Sequence, residues 1–352
     1  VMLYDDFHKL HLIGFEDCNR ESASKNPENY ASDNDFNDLV VYATANPVDG
    51  ISTDGVAPIE SSIDSDGDGV LDQLDQYKND PTRAYNSYFP ARDKWGTVAF
   101  EDSWPKTADY DLNDLVVNYR YTYVSNAANN VVEMNAEYQA VAAGALYQNG
   151  FGVQFPFSPN LVSSVTGQKI SGSYVTLNAN GTEAGQSKTV IIPFDNHSSV
   201  LKNADQSPQV NTKMELAKVT ADPRVINIKF TSPVAPATLG TAPYNPFLIS
   251  NQIRGYEVHL PGNLPTDKAE KTVFGTEADN SNVATNRYYL TKDNWPFAIQ
   301  FSEQFKYPIE FKSIDKTYLR FLDWARSGGT QYQDWYINEA SGYRNNSFIY
   351  TK

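Results

Sequence analysis

A run of carboxylates with regular spacing lies in the first quarter of the chain. Asp64, Asp66 and Asp68 alternate with small residues, and Gly69 follows at once. The twelve-residue calcium loop has oxygen ligands at positions 1, 3 and 5, a glycine at 6, a main-chain carbonyl at 7 and further ligands at 9 and 12. The predicted calcium ligands are, in that order, Asp64, Asp66, Asp68, the carbonyl of Val70, Asp72 and Asp75.

The surroundings of this loop differ from those of an EF-hand. Asp75 stands where an EF-hand has a bidentate Glu, and residues 50–62 are rich in Gly, Pro and Ser, which argues against a preceding helix. The loop therefore resembles the thrombospondin type 3 or dockerin-like use of this motif, which implies a rigid calcified linker. The alternative is a flexible acidic linker that binds no metal.

A second acidic motif occurs twice, once on each side of this loop. Its pattern is F-E-D, a polar loop, and then D-x-D-[FL]-N-D-L-V-V. The first copy spans residues 15–17 and 33–41, and the second spans residues 100–102 and 109–117. Because the same letters recur in the same order, we interpret the two copies as versions of one structural device.

The spacing within this motif also favours a metal. Residues at i, i+2 and i+4 of an extended strand face one side, where several carboxylates would repel one another unless a cation neutralised them. An all-oxygen ligand set suits calcium. The alternative is that these side chains only form Asx turns. The candidate ligands are Glu16, Asp17, Asp33, Asp35, Asn37 and Asp38 in the first copy, and Glu101, Asp102, Asp109, Asp111, Asn113 and Asp114 in the second.

The composition indicates the elements that must position these residues. Tyr (23), Phe (18), Gly (20) and Pro (19) are frequent, which favours short strands joined by turns. We predict an all-β fold, an antiparallel, jelly-roll-like β-sandwich with one C-terminal helix from Lys316 to Ala325. The expected domains are an N-terminal β module (1–57), a calcium-binding linker (58–87) and the sandwich (88–352).

Charge and hydropathy exclude several classes of protein. The 352 residues include 28 Lys and Arg against 43 Asp and Glu, a net charge of −15, so we expect no nucleic-acid partner. No apolar run is long enough to span a bilayer. The first residues lack a signal-peptide pattern, so we expect membrane attachment only through a lipid anchor that is absent from this sequence. The single cysteine, Cys18, excludes an internal disulfide and a cysteine-based zinc site.

The order of these motifs, with several segments that follow them, resembles the bacterial LruC-domain family. The resemblance covers nearly the whole chain. It implies a mostly β protein that is secreted or anchored to the outer membrane, often a surface lipoprotein of Bacteroidetes, in a family without a well-defined activity. Besides the repeated motif and the acidic loop, the segments that carry it are 245–249, 254–262, 265–269, 295–299, 306–310, 324–325 and 334–336.

Two functions remain open. The first, which we prefer, is a calcium-stabilised structural or ligand-binding protein of the cell surface that recognises a glycan or host polymer. The second is an extracellular polysaccharide hydrolase, which needs two carboxylates across a cleft. Nothing in the sequence pairs the available carboxylates, and tryptophans that could stack on sugars fall partly at positions expected in the core. The carboxylates are Glu257, Glu303, Glu310 and Asp323. The tryptophans are Trp95, Trp104, Trp295, Trp324 and Trp335.

Overall fold

The computed structural model describes residues 1–6, 8–17, 35–59 and 63–352. The chain divides into two compact units, Val1–Asn79 and Asp80–Lys352. The domain boundaries expected at residues 57 and 87 stay predictions.

The described part of the smaller unit contains a four-stranded sheet. Its strands are β1 (Met2–Asp5), β2 (Leu10–Phe15), β3 (Leu39–Ala43) and β4 (Ala57–Pro58). They lie in the order β3-β2-β1-β4, with β4 parallel to β1 and the other pairs antiparallel. Strand β3 is therefore at one edge of the described sheet, and most of its side chains are exposed.

The larger unit contains a seven-stranded sheet, two strands of which flank the second motif copy. The strands of this sheet are β5 (Tyr85–Phe89), β6 (Gly96–Phe100), β7 (Leu115–Ser125), β8 (Val131–Ala142), β10 (Val162–Thr166), β12 (Arg224–Val234) and β15 (Ala298–Phe301). The order is β10-β12-β8-β7-β6-β15, and β5 pairs with the second half of β7. In β8 buried and half-buried residues alternate, as expected for a strand in a layered fold.

A second, four-stranded sheet packs against this one. It contains β9 (Gly150–Gln154), β11 (Val190–Phe194), β13 (Asn245–Ile249) and β14 (Glu257–His259), in the order β11-β9-β13-β14. Side chains of both sheets share the main core, which includes Val117, Tyr138, Phe151 and Leu248. The predicted antiparallel sandwich is confirmed.

The C-terminal segment covers part of the other face of the seven-stranded sheet, at β15, β6 and the adjoining ends of β7 and β8. Val116, the neighbour of Val117 on β7, lies in this second core with Ile299, Phe321 and Trp335. At the start of β7 the sheet is therefore buried on both faces, which explains why Val116 and Val117 are both inaccessible although they point in opposite directions.

Three short α-helices accompany the sheets in the described residues: α1 (Pro236–Leu239), α2 (Ile314–Thr317) and α3 (Phe321–Arg326). The C-terminal helix predicted as continuous over 316–325 is thus interrupted. Tyr318 has extended backbone angles, and it forms a β-bridge with Arg344. This pairing with a distant segment overrides the local helical pattern. In the described part of the chain, no helix has the length and apolar character required to cross a bilayer.

Candidate metal centres

The acidic loop of the smaller unit gathers three of its predicted ligands. Asp64, Asp66 and Asp68 each offer an oxygen, and these oxygens lie within 4.8 Å of one another. Asp64 accepts hydrogen bonds from the backbone N–H groups of Gly67 (2.8 Å) and Gly69 (2.9 Å), both of which have positive φ. Glycine adopts this conformation without strain, so the loop folds back over its own first carboxylate.

The two later carboxylates of the loop, Asp72 and Asp75, differ in their hydrogen bonds. Asp72 accepts hydrogen bonds from the hydroxyl (2.7 Å) and backbone N–H (2.8 Å) of Ser65, which lower its pKa, and its role as a calcium ligand stays a prediction. Asp75 is buried, and its Oδ2, like Oδ2 of Asp68, accepts no hydrogen bond from the described residues. The structure thus brings Asp64, Asp66 and Asp68 together and ties Asp72 to Ser65.

The second copy of the repeated motif joins two neighbouring strands. β6 ends at Phe100 and β7 begins at Leu115, and these two residues pair directly. The extended conformation expected for 109–113 is wrong, because Tyr110 and Leu112 have positive φ values of 59° and 54°. Their side chains enter the second core, while the carboxylate of the intervening Asp111 lies beside those of Asp109 and Glu310.

Most polar side chains of this copy are inaccessible. Glu101 and Asn113 have no exposed surface, and Asp111 is 1% exposed. Burial and the neighbouring Asp109 and Glu310 raise the pKa of Asp111 to about 8. Burial and nearby carboxylates also raise the pKa of Glu101 and that of Asp114 well above their usual range. The copy is a desolvated concentration of carboxyl groups.

Two carboxylates of this copy hold its backbone in place, and a third binds a side chain outside the copy. Glu101 Oε1 accepts a hydrogen bond from Leu112 N (2.5 Å), and Asp114 Oδ2 accepts one from Asp102 N (2.8 Å). Asp102 Oδ2 accepts a hydrogen bond from the side-chain amide of Asn149 (2.7 Å). Asp111 Oδ1 accepts a hydrogen bond from Asn113 N (3.2 Å), as the Asx-turn alternative expects for this part of the motif.

Glu310 joins the remaining carboxylates of this copy. Asp109, Asp111 and Glu310 each offer an oxygen, and these oxygens lie within 4.8 Å of one another. Sequence reasoning considered Glu310 only as a hydrolase carboxylate, because nothing local connects it to a loop some 200 residues earlier. None of the ion pairs in the described chain involves a carboxylate of this group: Glu101, Asp102, Asp111, Asp114 or Glu310.

The first copy repeats the same hydrogen bonds at the surface. Phe36 N donates to Glu16 Oε1 (2.5 Å), Asp17 N donates to Asp38 Oδ2 (2.8 Å), and Asn37 N donates to Asp35 Oδ1 (3.1 Å). Asp17, Asp35, Asn37 and Asp38 are exposed, and Glu16 is half-buried. Asp33, predicted as a ligand, and Cys18 lie outside the described residues.

The hydrolase candidates occupy separate environments. Glu257 is buried between Arg254 and His259, which lower its pKa to about 2 although burial opposes this, and His259 bonds to it at 2.8 Å. Glu303 and Asp323 contact Tyr336 and Arg320, respectively.

The tryptophans lie mainly in the cores, as expected for Trp295 and Trp324. Trp104 and Trp335 are buried, and Trp295 and Trp324 pack against the second core. Trp95 instead stacks with the guanidinium of Arg120, which lies 4.3 Å from the ring centroid.

Comparisons with known proteins identify a family and a similar structure for this chain. A search of curated proteins gives no match. The fold is similar to the crystal structure of a "Putative lipoprotein from Bacteroides ovatus", with a TM-score of 0.55, 18% identity, and 74% of this chain and 75% of that chain covered. The family model described as "Domain of unknown function (DUF4842)" matches residues 129–336. Because this match spans more than half of the sequence, the chain belongs to the DUF4842 family.

Proposed function

We propose that this protein is a calcium-binding structural or ligand-binding protein of the bacterial cell surface, related to the LruC-domain proteins. The observation that carries the calcium assignment is the convergence of Asp64, Asp66 and Asp68 in a loop with the EF-hand spacing. Carboxylate and carbonyl oxygens without His or Cys are the ligands that calcium prefers. The B. ovatus structure and the resemblance to LruC-domain proteins support the surface location.

Isothermal titration of the full chain with calcium tests this assignment. The double variant Asp66→Asn/Asp68→Asn removes two ligand charges and is expected to lower the number of bound calcium ions by one. The matched control Asp49→Asn/Asp54→Asn removes two exposed charges of the same unit outside the cluster and is expected to bind as the wild type does. An unchanged titration of the first variant would refute the loop as a calcium site.

A surface location has a direct test in the source bacterium. Protease added to intact cells is expected to digest the protein while a periplasmic marker survives. Protection of the protein until the cells are lysed would contradict the proposal.

We propose a glycan or other extracellular polymer as the ligand. A cleft of about 530 Å³ beside α3 supports this, because Trp324 lines it with the polar side chains of Arg287, Asn294 and Gln300. Aromatic surface with a few polar groups is a usual lining for such ligands. Binding to a polysaccharide panel should weaken in Trp324→Ala but not in Trp95→Ala. Equal binding by both variants, with unchanged melting temperatures, would exclude this cleft.

A further inference from the structure

We propose that Asp109, Asp111, Asn113 and Glu310 form a second calcium site, through which the cation anchors the C-terminal segment, residues 302–352, to the loop between β6 and β7. This inference rests on the proposed calcium binding and extends it to a ligand, Glu310, that lies outside the repeated motif. It also assigns the site a role, which is to stabilise the packing of the C-terminal segment over the second core.

The amide of Asn113 provides evidence beyond the acidic cluster itself. Its Nδ2 donates to the carbonyl of Pro308 (3.1 Å), which orients the amide, and its fully buried Oδ1 accepts no hydrogen bond from the described residues. A buried acceptor without a donor destabilises the folded state. A cation among these oxygens would satisfy it.

The space beside Asn113 is kept open by a glycine. A Cβ at Gly144 would lie 1.8 Å from Asn113 Oδ1 and 2.8 Å from Glu310 Oε2. The amide oxygen and the carboxylate therefore border the same small volume, which any other residue at position 144 would fill. A cleft of about 370 Å³, lined by Asp109, Gly144 and Glu310 among others, leads to it. This cleft gives a cation and its water ligands a route to the site.

Glu310 is held in place by residues of a third segment. Its Oε1 accepts a hydrogen bond from Gln209 (2.9 Å), its Oε2 accepts one from the hydroxyl of Thr212 (2.6 Å), and its backbone N–H donates to the carbonyl of Thr212 (2.9 Å). Each carboxylate oxygen has two lone pairs, so these contacts leave capacity for a metal. The side chain is already positioned before a cation arrives.

The ligand set is suited to a hard divalent cation. Three carboxylates and one amide supply at least four oxygens, and calcium takes 6–8 oxygen ligands at 2.3–2.6 Å, some of them from water. The cluster contains neither His nor Cys, the ligands typical of zinc.

The backbone links the site to the C-terminal segment. Phe311 N donates to Asp111 Oδ2 (3.0 Å), and Ile314 N donates to the carbonyl of Tyr110 (2.8 Å). These hydrogen bonds join the loop between β6 and β7 to the C-terminal segment. A cation shared by Asp109, Asp111 and Glu310 would therefore keep these two segments from separating.

Hydrogen exchange measured with calcium or with chelator tests this proposal on the full chain. In the wild type, calcium at about ten times its Kd should slow exchange in peptides covering 306–320 by about tenfold. Glu310→Gln should lose this protection and one bound calcium ion. The control Glu277→Gln, an exposed residue outside the cluster, should keep both.

Two further variants separate the possible outcomes. Asp109→Asn, at a half-buried position, repeats the test if Glu310→Gln does not fold. Asp66→Asn/Asp68→Asn should lose the loop calcium but keep the protection of 306–320. Calcium binding by the wild type without any change in 306–320 would overturn this inference alone, as would full protection in Glu310→Gln. Absence of all calcium binding would overturn the proposed function as well.

Discussion

The two copies of the repeated acidic motif join their strands in the same register but lie in different surroundings. Phe15 pairs with Leu39 in the first copy as Phe100 pairs with Leu115 in the second. Three hydrogen bonds of each loop are equivalent: Phe36 N to Glu16, Asp17 N to Asp38 and Asn37 N to Asp35 in the first copy correspond to Leu112 N to Glu101, Asp102 N to Asp114 and Asn113 N to Asp111 in the second. Phe36 and Leu112, at corresponding positions, have φ values of 57° and 54°.

The copies differ in what covers them. Val40 and Val41 on β3 are 52% and 39% exposed, whereas the corresponding Val116 and Val117 on β7 are fully buried. Strand β7 has β8 as its next neighbour and a core on each face, whereas β3 is at the edge of its described sheet. The backbone of the motif therefore does not depend on burial, but the electrostatics of its carboxylates do.

The largest contrast is expected where the left-handed residue of each copy is replaced by Asn. Leu112→Asn should destabilise the larger unit by more than about 3 kcal/mol, because it removes a fully buried side chain and buries an amide. Phe36→Asn should change stability by about 1 kcal/mol or less, since Phe36 is half-buried and Asn tolerates positive φ. Urea unfolding, with hydrogen exchange to assign each unit, measures both. Equal effects would mean that the copies do not differ in burial.

Truncation of the paired valines should give the next largest effect. Val116→Ala and Val117→Ala are each expected to cost about 2 kcal/mol, because each leaves a cavity in a different core. The matched variants Val40→Ala and Val41→Ala should each cost about 0.5 kcal/mol or less. A cost of about 2 kcal/mol in β3 would show that another part of the protein covers that strand in solution.

A change of pH should alter stability through His197, a buried residue near the second copy. Asn149, which donates to Asp102, also donates its backbone N–H to Nδ1 of the buried His197 (3.1 Å). Burial lowers the pKa of His197 to about 4. Between pH 6.5 and 4 the unfolded chain therefore binds a proton at this histidine that the folded chain does not, and the contribution of His197 to stability falls as the pH falls.

This linkage should cost about 2 kcal/mol between pH 7 and pH 5. His197→Gln, which cannot take up the proton, should remove that part of the pH dependence in urea unfolding experiments. An identical pH profile for the variant would mean that His197 is not the group responsible.

The sequence by itself determined those features of the protein that depend on contacts between residues close together in the chain. Alternating Asp and Gly residues place Asp64, Asp66 and Asp68 together through hydrogen bonds within a few residues, so the loop could be recognised from spacing alone. The repeat predicted one device used twice, and the matched registers agree with it. Aromatic residues and turn residues indicated the sandwich, because short strands and tight turns have local signatures.

The tertiary structure decided which copy is buried, which distant residue joins it and where the last helix breaks. Glu310 reaches Asp109 and Asp111 only because the C-terminal segment folds over the sheet that carries the second motif. Tyr318 leaves the helical conformation because it pairs with Arg344. The left-handed Tyr110 and Leu112 are held by burial of their side chains and by Glu101. Such contacts between remote residues leave no periodic signal in the chain, because their free energy appears only once the layers have packed.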